Sequence, residues 1–384
     1  MVSAVRNGES VSSVAARFRV ARSTVRLWVQ RAEGQRLDRV DFSDRPDGPA
    51  RPANRSSADI EELVLTIRRE LRQDSALGES GAVAIQRELR KRRVKSIPSI
   101  RTIGRILLRR GALDGRRRLR HAAPPPGWYL PQLGAKQAEL DSFDIVEGLV
   151  IQGGWNVEVL NGISLFGGLA ESWPRAAIST RTVVTALVGH WRRFGLPDYA
   201  QFDNDTVFYG QHAHPNTVGR VTRLCLSLGV TPVFAPPRET GFQAAIENFN
   251  GRWQTAVWNR FHFESRAALS SQSARFITAH RRKRASRIES APDRWEFPAD
   301  WNADLRDFVD GTIIYLRRTD DAGRANVLGQ RFDVDRHWLH RLVRAEVDLA
   351  NDLIRFYSLR RRAPEDQPLL KEIKHHVPKK KIKE

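Results

Sequence analysis

Three acidic residues of this chain stand where carboxylates can do chemistry. Asp141 lies in the run AELDSFDIV, Asp203 follows LPDYAQF, and Glu247 sits inside FQAAIENFNGRW. Carboxylates from distant segments can converge on two divalent cations about 3.5–4 Å apart, which together serve phosphodiester cleavage. Hard oxygen donors with no cysteine motif nearby point to Mg²⁺ or Mn²⁺, two ions per site. Two competitors stay open. Asp144 is three residues beyond Asp141 and points to the opposite face of a strand; Asp141 is taken as the first acid and Asp144 as its alternative. Glu239 is separated from Asp203 by 35 residues, Glu247 by 43. Asn204 is expected to orient the turn after Asp203 and not to bind metal.

Elements that would position these acids follow from pattern. AELDSFDIV, WNVEVLNGIS and FGGLAESW read as strands, with turns at Gly153-Gly154 and Gly167-Gly168. RTVVTALVGHWRRFG has an apolar helical face of Val183, Val184, Leu187 and Trp191. A short strand before Asp203, a helix over TVGRVTRLCLSLG, a strand over VTPVFAPP and a long helix bearing Glu247 complete the run. Three strands, then helix, strand, helix, strand, helix, predict an α/β layer with a mixed sheet. Trp128, Trp155, Trp173, Trp191, Trp253 and Trp258 are expected in the core, with Trp253 or Trp258 the candidates for touching DNA at the rim. His212 and His214 read as a surface loop pair.

These segments together resemble the retroviral-integrase-type catalytic core of bacterial insertion-sequence transposases. ELDSFDI is similar to the family's first-Asp strand. WRRFGLPDYAQFDNDTVF resembles its helix, FG-Pro turn and second-Asp motif. FAPPRETGFQAAIENFNGRW resembles P-P-G followed, eleven residues after the first proline, by the Glu of V-E-x-F-N-G; Pro236 lies eleven residues before Glu247. FHFESRAALSSQSARFITAHRRKR is similar to the helix that closes the core. The resemblance covers roughly residues 128–300. It implies an RNase H-like fold with a DDE triad and assigns catalysis and metal binding to Asp141, Asp203 and Glu247. The motif register favours Glu247 over Glu239, with QHAHPNTVG as a small insertion. The chain departs from the family at Asp205 (for Gly), Arg238 (for the Gly after the two prolines), Gln243-Ala244, and Leu165 (for Arg).

The chain has 384 residues, a formal charge of +20 and one cysteine, Cys225. That length suits several domains, and the lone cysteine excludes a disulfide framework and a Cys-rich zinc module. No apolar run reaches a membrane span, and the N-terminus lacks a signal-peptide core, so no membrane partner and a cytoplasmic, nucleoid-associated protein are expected. The charge is not spread evenly. Residues 1–127 carry 28 basic and 14 acidic side chains, 128–274 carry 11 and 12, and 275–384 carry 25 and 18. Basic ends around a near-neutral middle predict DNA-holding modules around a segment that uses its acids for something else.

Residues 1–33 read as a helix-turn-helix. Val11, Val14, Ala15 and Phe18 stripe a first helix, Ser23 is the expected N-cap of a second, and Ser23, Thr24, Arg26, Gln30 and Arg31 face outward as DNA-contacting candidates. A linker over 34–57 leads to a second, winged-helix-like unit over 58–113. There Ser99 caps IRTIGRILLRR, Ile100, Ile103 and Leu107 share a face, Arg101, Arg105 and Arg109 form a stripe, and Gly111 ends the helix. Residues 114–127 are a basic, proline-rich linker and 128–275 the catalytic core. A basic linker over 276–305, with Arg281, Arg282 and Lys283 as phosphate contacts, precedes a small β-barrel over 306–362 and a basic tail over 363–384 whose KKKIKE end reads as disordered. The expected protein is thus multidomain: all-α helix-turn-helix units, an α/β core and a small barrel.

Taken with the resemblance, these features imply a DDE transposase. It would bind double-stranded DNA at the terminal inverted repeats of a mobile element, act as a homo-oligomer on DNA, and carry out Mg-dependent 3′-end cleavage and strand transfer into target DNA. The alternatives are a DNA-binding regulator with an inactive core and an RNase H-fold nuclease.

Overall fold

The computed structural model describes residues 1–43, 56–113, 125–210, 216–302 and 304–378. His212, His214 and the KKKIKE end lie outside them. The chain divides into two compact units, Met1–Glu61 and Glu62–Glu384.

The first unit holds α1 (Val2–Arg6), α2 (Val11–Phe18) and α3 (Arg22–Arg31). Ser10 caps α2 by accepting the Ser13 N–H at 3.1 Å, and Arg19 ends it in the left-handed region at φ 52°, so the chain reverses within three residues. Val14, Ala15 and Val25 are buried between the helices. The expected Ser23 cap is corrected: α3 begins at Arg22 after Ala21 and has no side-chain cap. The extended Ala21 backbone starts the helix two residues earlier.

The second unit opens with the rest of α4 (Ala58–Asp74), then α5 (Ala82–Lys91) and α6 (Ile100–Arg109). Ser99 caps α6 through the Thr102 N–H at 3.1 Å, and Gly111 leaves it at φ 66°, a left-handed exit that glycine adopts without a Cβ clash. Ile103, Ile106 and Leu107 pack on Val64, Ile67, Ile85 and Leu89. Ile100, expected on that face, is exposed.

The remaining elements are α7 (Pro131–Gly134), β1 (Leu140–Ile151), β2 (Trp155–Ser164), β3 (Ala170–Arg175), α8 (Thr180–Phe194), β4 (Tyr199–Phe202), α9 (Thr206–Tyr209), α10 (Arg220–Ser227), β5 (Thr231–Phe234), α11 (Ala244–Ala256) and α12 (Arg266–Glu289), followed by β6 (Thr312–Arg318), β7 (Arg324–Val327), β8 (Gln330–Asp333), β9 (Leu342–Asp348), β10 (Leu353–Leu359) and β11 (Leu369–Lys374). They build a nine-stranded mixed sheet in the order β11-β10-β9-β6-β5-β4-β1-β2-β3. β1 runs antiparallel to β2 and parallel to β4, and β4–β5–β6 are parallel.

Helices cover both faces. Val183, Leu187 and Trp191 of α8 pack with Phe143 and Phe202 on one side. Ile246, Phe249 and Trp253 of α11 and Leu269 and Phe276 of α12 pack with Val146 and Val159 on the other. Removing that much apolar surface from water, at about 25 cal/mol per Å², is what holds the layers together.

The C-terminal strands correct the expected barrel. They do not close on themselves. β6 joins β5 in parallel, with Val233 opposite Ile314 and Phe234 opposite Tyr315, and β9, β10 and β11 continue the core sheet. Only β7 and β8 form a separate hairpin. The stacked Phe234 and Tyr315 rings, 5.2 Å apart, show why: β6 presents apolar side chains that complete the core instead of enclosing a second one. The expected tail includes strand β11, and the expected linker over 276–305 is helical as far as Glu289, the end of α12. Trp155, expected in the core, is 71% exposed.

Candidate active site

Alternation along β1 decides which aspartate joins the site. Phe143 and Ile145 pack on the α8 side, whereas Val146 packs on the α11 side. Asp141 therefore points toward α8 and Asp144 toward α11. Asp141 is fully buried in an ion pair. Arg294 donates to its two oxygens at 2.9 and 2.6 Å, Trp191 Nε1–H donates to Oδ2 at 3.0 Å, and His190 Nε2 lies 3.6 Å away. Burial by itself would raise its pKa, but the Arg294 guanidinium, helped by His190, holds the carboxyl well below the usual carboxylate range. Asp141, expected in catalysis and metal binding, is thus placed in a buried ion pair on the α8 side of the sheet. Its oxygens accept from Arg294 and Trp191 on the sheet face opposite Glu247.

Asp144 is the acid that feels the charges of the other two. Its carboxyl is pushed up to about 7, first by burial, then by the charge of Asp203, with Glu247 adding to the effect. Asn250 opposes this by donating to Asp144 Oδ2 at 2.7 Å, and Asn161 in turn donates to Asn250 Oδ1 at 2.8 Å. Asn250 lies three residues after Glu247 on α11, so one helical turn delivers both side chains to the same side of the helix. Glu247 itself is exposed in the first turn of α11.

Asp203 leaves the end of β4. Burial raises its carboxyl, and the nearby Asp205 and Glu147 charges raise it further, while the Asp205 N–H donates to Oδ1 at 2.9 Å. Glu147 sits where the β1–β2 register shifts, beside Gly148 at φ 72°; this bulge turns its carboxylate toward Asp203. Asp205, a departure from the family motif, caps α9 by accepting the Val207 N–H at 2.8 Å. Asn204 fastens the turn as expected. It donates to the Ala235 carbonyl at 2.7 Å and accepts from Arg317 at 2.9 Å. The buried Arg317 also donates to the carbonyls of Leu316 at 2.8 Å, Asn326 at 2.9 Å and Ala235 at 3.2 Å. Glu239 is occupied elsewhere, pairing with Arg318 and Arg361.

The donor set is three carboxylates, one half-buried pair and one exposed at a helix start, with no cation of the chain offsetting Asp144. Among the described residues no three acids, imidazoles or thiols form a closed metal cage. Mg²⁺ does not need one, because it keeps several waters and binds through one or two carboxylates plus substrate oxygens. Asp144 and Asp203 fit that role and Glu247 can complete it. The raised Asp144 carboxyl owes most to burial and next to the Asp203 charge, and a bound cation would oppose both.

The DNA-contacting candidates fall into two groups. Ser23, Arg26 and Gln30 are exposed on α3, and Arg101, Arg105 and Arg109 are exposed along α6; Thr24 is half-buried. Arg31 instead stacks 4.6 Å over the Trp28 ring and reaches the Ser43 carbonyl at 3.3 Å. On α12, Arg281 is committed to the Ala170 carbonyl at 2.8 Å, to Glu171 and to the Phe194 ring. Lys283 pairs with Glu79, and Arg282 is exposed. Trp253 is buried, donating to Ser273 Oγ at 2.9 Å. Asn250, Asn161, Arg294 and Arg317 carry no expectation from sequence. For Asn250 the signal was present in the E-x-F-N spacing; for the others there was none.

No family model and no curated protein matches the sequence. Among solved structures the chain is similar to the catalytic core of BIV integrase, at 17% identity over 37% of this chain and 80% of that one, TM-score 0.26. It is similar also to the HTLV-2 integrase catalytic core in complex with magnesium, at 12% identity over 41% and 87%, TM-score 0.28. A chain of the simian T-cell lymphotropic virus intasome in complex with PP2A regulatory subunit B56 gamma aligns at 12% identity over 79% and 95%, TM-score 0.34. Superpositions this loose transfer no residue role to this chain.

Proposed function

We propose that the protein is a metal-dependent polynucleotidyl transferase of the DDE type, with Asp144, Asp203 and Glu247 as its acids. The observation that carries this reading is the convergence of Asp144 with Asp203 and Glu247, from three separate elements, on a carboxyl raised to about 7. Asp144 and Asp203 would hold Mg²⁺ (or Mn²⁺), with Glu247 completing the set for a second ion. The metal pair supplies activation of the attacking oxygen and stabilisation of the leaving oxygen. The chain's own task is placement. Asn250 sets the Asp144 carboxylate, the Asn204–Arg317 tie sets the turn of Asp203, and α11 presents Glu247 from its first turn.

In the finer reading, α3 and α6 grip the ends of a mobile DNA element. A water then cleaves the 3′ end, and the freed 3′-OH attacks target DNA with no covalent protein–DNA intermediate. Exposed polar and basic side chains on both helices support this, and action as a homo-oligomer on DNA belongs to the same reading. Among the described residues no helix is long and apolar enough to cross a membrane.

Asp144→Asn should lower Mg-dependent cleavage and strand transfer of oligonucleotide ends by at least about 10³-fold while the protein stays folded. Asp141→Asn should instead lower the urea midpoint. Full strand transfer by the Asp144→Asn protein, with loss only on changing Asp141, would return the first acid to Asp141. A protein that cuts DNA but never joins a 3′-OH would be a nuclease, and one that binds ends but never nicks them a regulator.

A further inference from the structure

A cavity of about 310 Å³ lies against α11 beside the acids and plays no part in the argument so far. Its walls come from the segment around Trp128, the β2–β3 turn, the residues leading into α11, and α12. Asn248 and Arg252 face it from α11. They are four residues apart and share a helix face, about 100° round the helix from the preceding Glu247.

Three arginines line it, Arg252, Arg284 and Arg287, and no acidic residue does. Arg287 is aimed by backbone alone, donating to the carbonyls of Phe166 and Leu165. Arg252 makes a long 3.4 Å bond to the Asn248 carbonyl of its own helix. Arg284 has no hydrogen bond or ion pair among the described residues. The arginines repel one another: burial first and then Arg284 hold the Arg252 guanidinium below its ordinary value, and burial first and then Arg284 do the same to Arg287. Arg252 and Arg284 are half-buried and Arg287 is exposed. Glu79 and Glu139 offset part of the repulsion at Arg252 and Arg287, a bound anion would offset more, and planar guanidinium forks match phosphate oxygens. The opposite wall is the edge of a packed aromatic cluster, Trp128 and Phe242 with ring centroids 5.5 Å apart, both rings being buried in the core.

We propose that this cavity holds a backbone phosphate of a DNA strand on Arg252, Arg284 and Arg287, with the strand passing over the cavity mouth. The identity of the ligand as DNA rests on the function proposed above; the anion site itself rests only on the cavity. The pocket would fix the strand next to the phosphodiester that the three acids address, so that register along the strand is set by a phosphate contact and not by a base sequence.

The test is photocrosslinking of the full-length Asp144→Asn protein, in EDTA, to a short single strand containing 5-iododeoxyuridine, with adducts mapped by mass spectrometry. Metal-free, cleavage-dead conditions keep this result separate from the catalytic reading, which Asp144→Asn activity assays judge alone. Adducts are expected within the segments that line the cavity, 125–129 or 241–252. Their yield should fall at least tenfold in Arg252→Gln/Arg284→Gln and largely return in Arg252→Lys/Arg284→Lys, which keeps the charge. Adducts confined to residues 1–113, or a yield unchanged by the glutamine pair, would overturn the proposal. So would suppression by inorganic phosphate as effective as by unlabelled strand at equal concentration, which would make the cavity a free-anion site.

Discussion

Asp141 and Asp144 are three residues apart and do opposite jobs. The ion pair of Asp141 with Arg294 ties the segment after α12 to the core, and the same arginine donates to the Gly195 carbonyl at 3.1 Å. A Cβ on Gly195 would come within 2.9 Å of Arg294 Cβ and of the Trp295 carbonyl oxygen, so glycine is required where the two segments meet. Removing one partner of a buried pair leaves the other uncompensated. Asp141→Asn should therefore cost on the order of 3 kcal/mol, read from urea unfolding at pH 7. The contribution belongs to a carboxyl with a depressed pKa, so it is present above the unfolded value and lost as pH falls below about 4. Asn250 acts differently, since its amide touches Asp144 directly. Asn250→Ala should raise the Mg²⁺ concentration for half-maximal activity by about 10–100-fold with little change in the urea midpoint. A shift in stability with unchanged Mg²⁺ dependence would make Asn250 a packing residue only.

At the scale of elements, α12 carries the expected closing helix on through the basic stretch to Glu289. Its basic HRRKR stretch reads as a linker, yet His280 in it is buried against the Phe249 and Phe276 rings and its Nε2–H donates to the Gly168 carbonyl at 3.1 Å. Burial first, then Arg252, pushes this imidazole down to about 4. In the unfolded chain it takes its proton near pH 6.5. Between those values the unfolded chain binds a proton that the folded chain refuses, so stability rises with pH through that window and is lost on acidification. The loss from pH 7 to 4.5 should be on the order of 1–3 kcal/mol, and His280→Gln should remove most of that pH dependence in urea titrations. A second strain sits before α11. Arg238, standing where the resembled family has glycine, adopts φ 58°. Arg238→Gly should raise stability by about 1 kcal/mol, unless Arg238 gains a contact that offsets the strain.

For the whole molecule, charge follows task. Residues 1–127 account for most of the net +20, while the acids of the proposed site lie in the near-neutral middle. The exposed arginines of α6 are phosphate contacts in the proposed reading. Arg101→Gln/Arg105→Gln should then weaken binding to duplex DNA about equally for all sequences and flatten the slope of log K against log salt by about 2. Unchanged salt dependence would assign that stripe to solvation alone.

Much of this was legible in the chain itself. The α/β order, the helices of residues 1–113 and the placement of Asp203 after a short strand and of Glu247 on a long helix follow from side-chain period, cap residues and motif spacing, all of which are local. The opposite orientation of Asp141 and Asp144 was also local, because a strand alternates every residue. Which of the two faces carries α11 was not, since that depends on how a helix a hundred residues later crosses the sheet. The same holds for Arg294, which reaches Asp141 across more than 150 residues, and for β6. The pattern marks β6 as a strand, but only its pairing with β5 made it part of the core sheet instead of a separate barrel. Local periodicity sets what each segment can be; the choice of partner is made by long-range burial, which no single segment encodes.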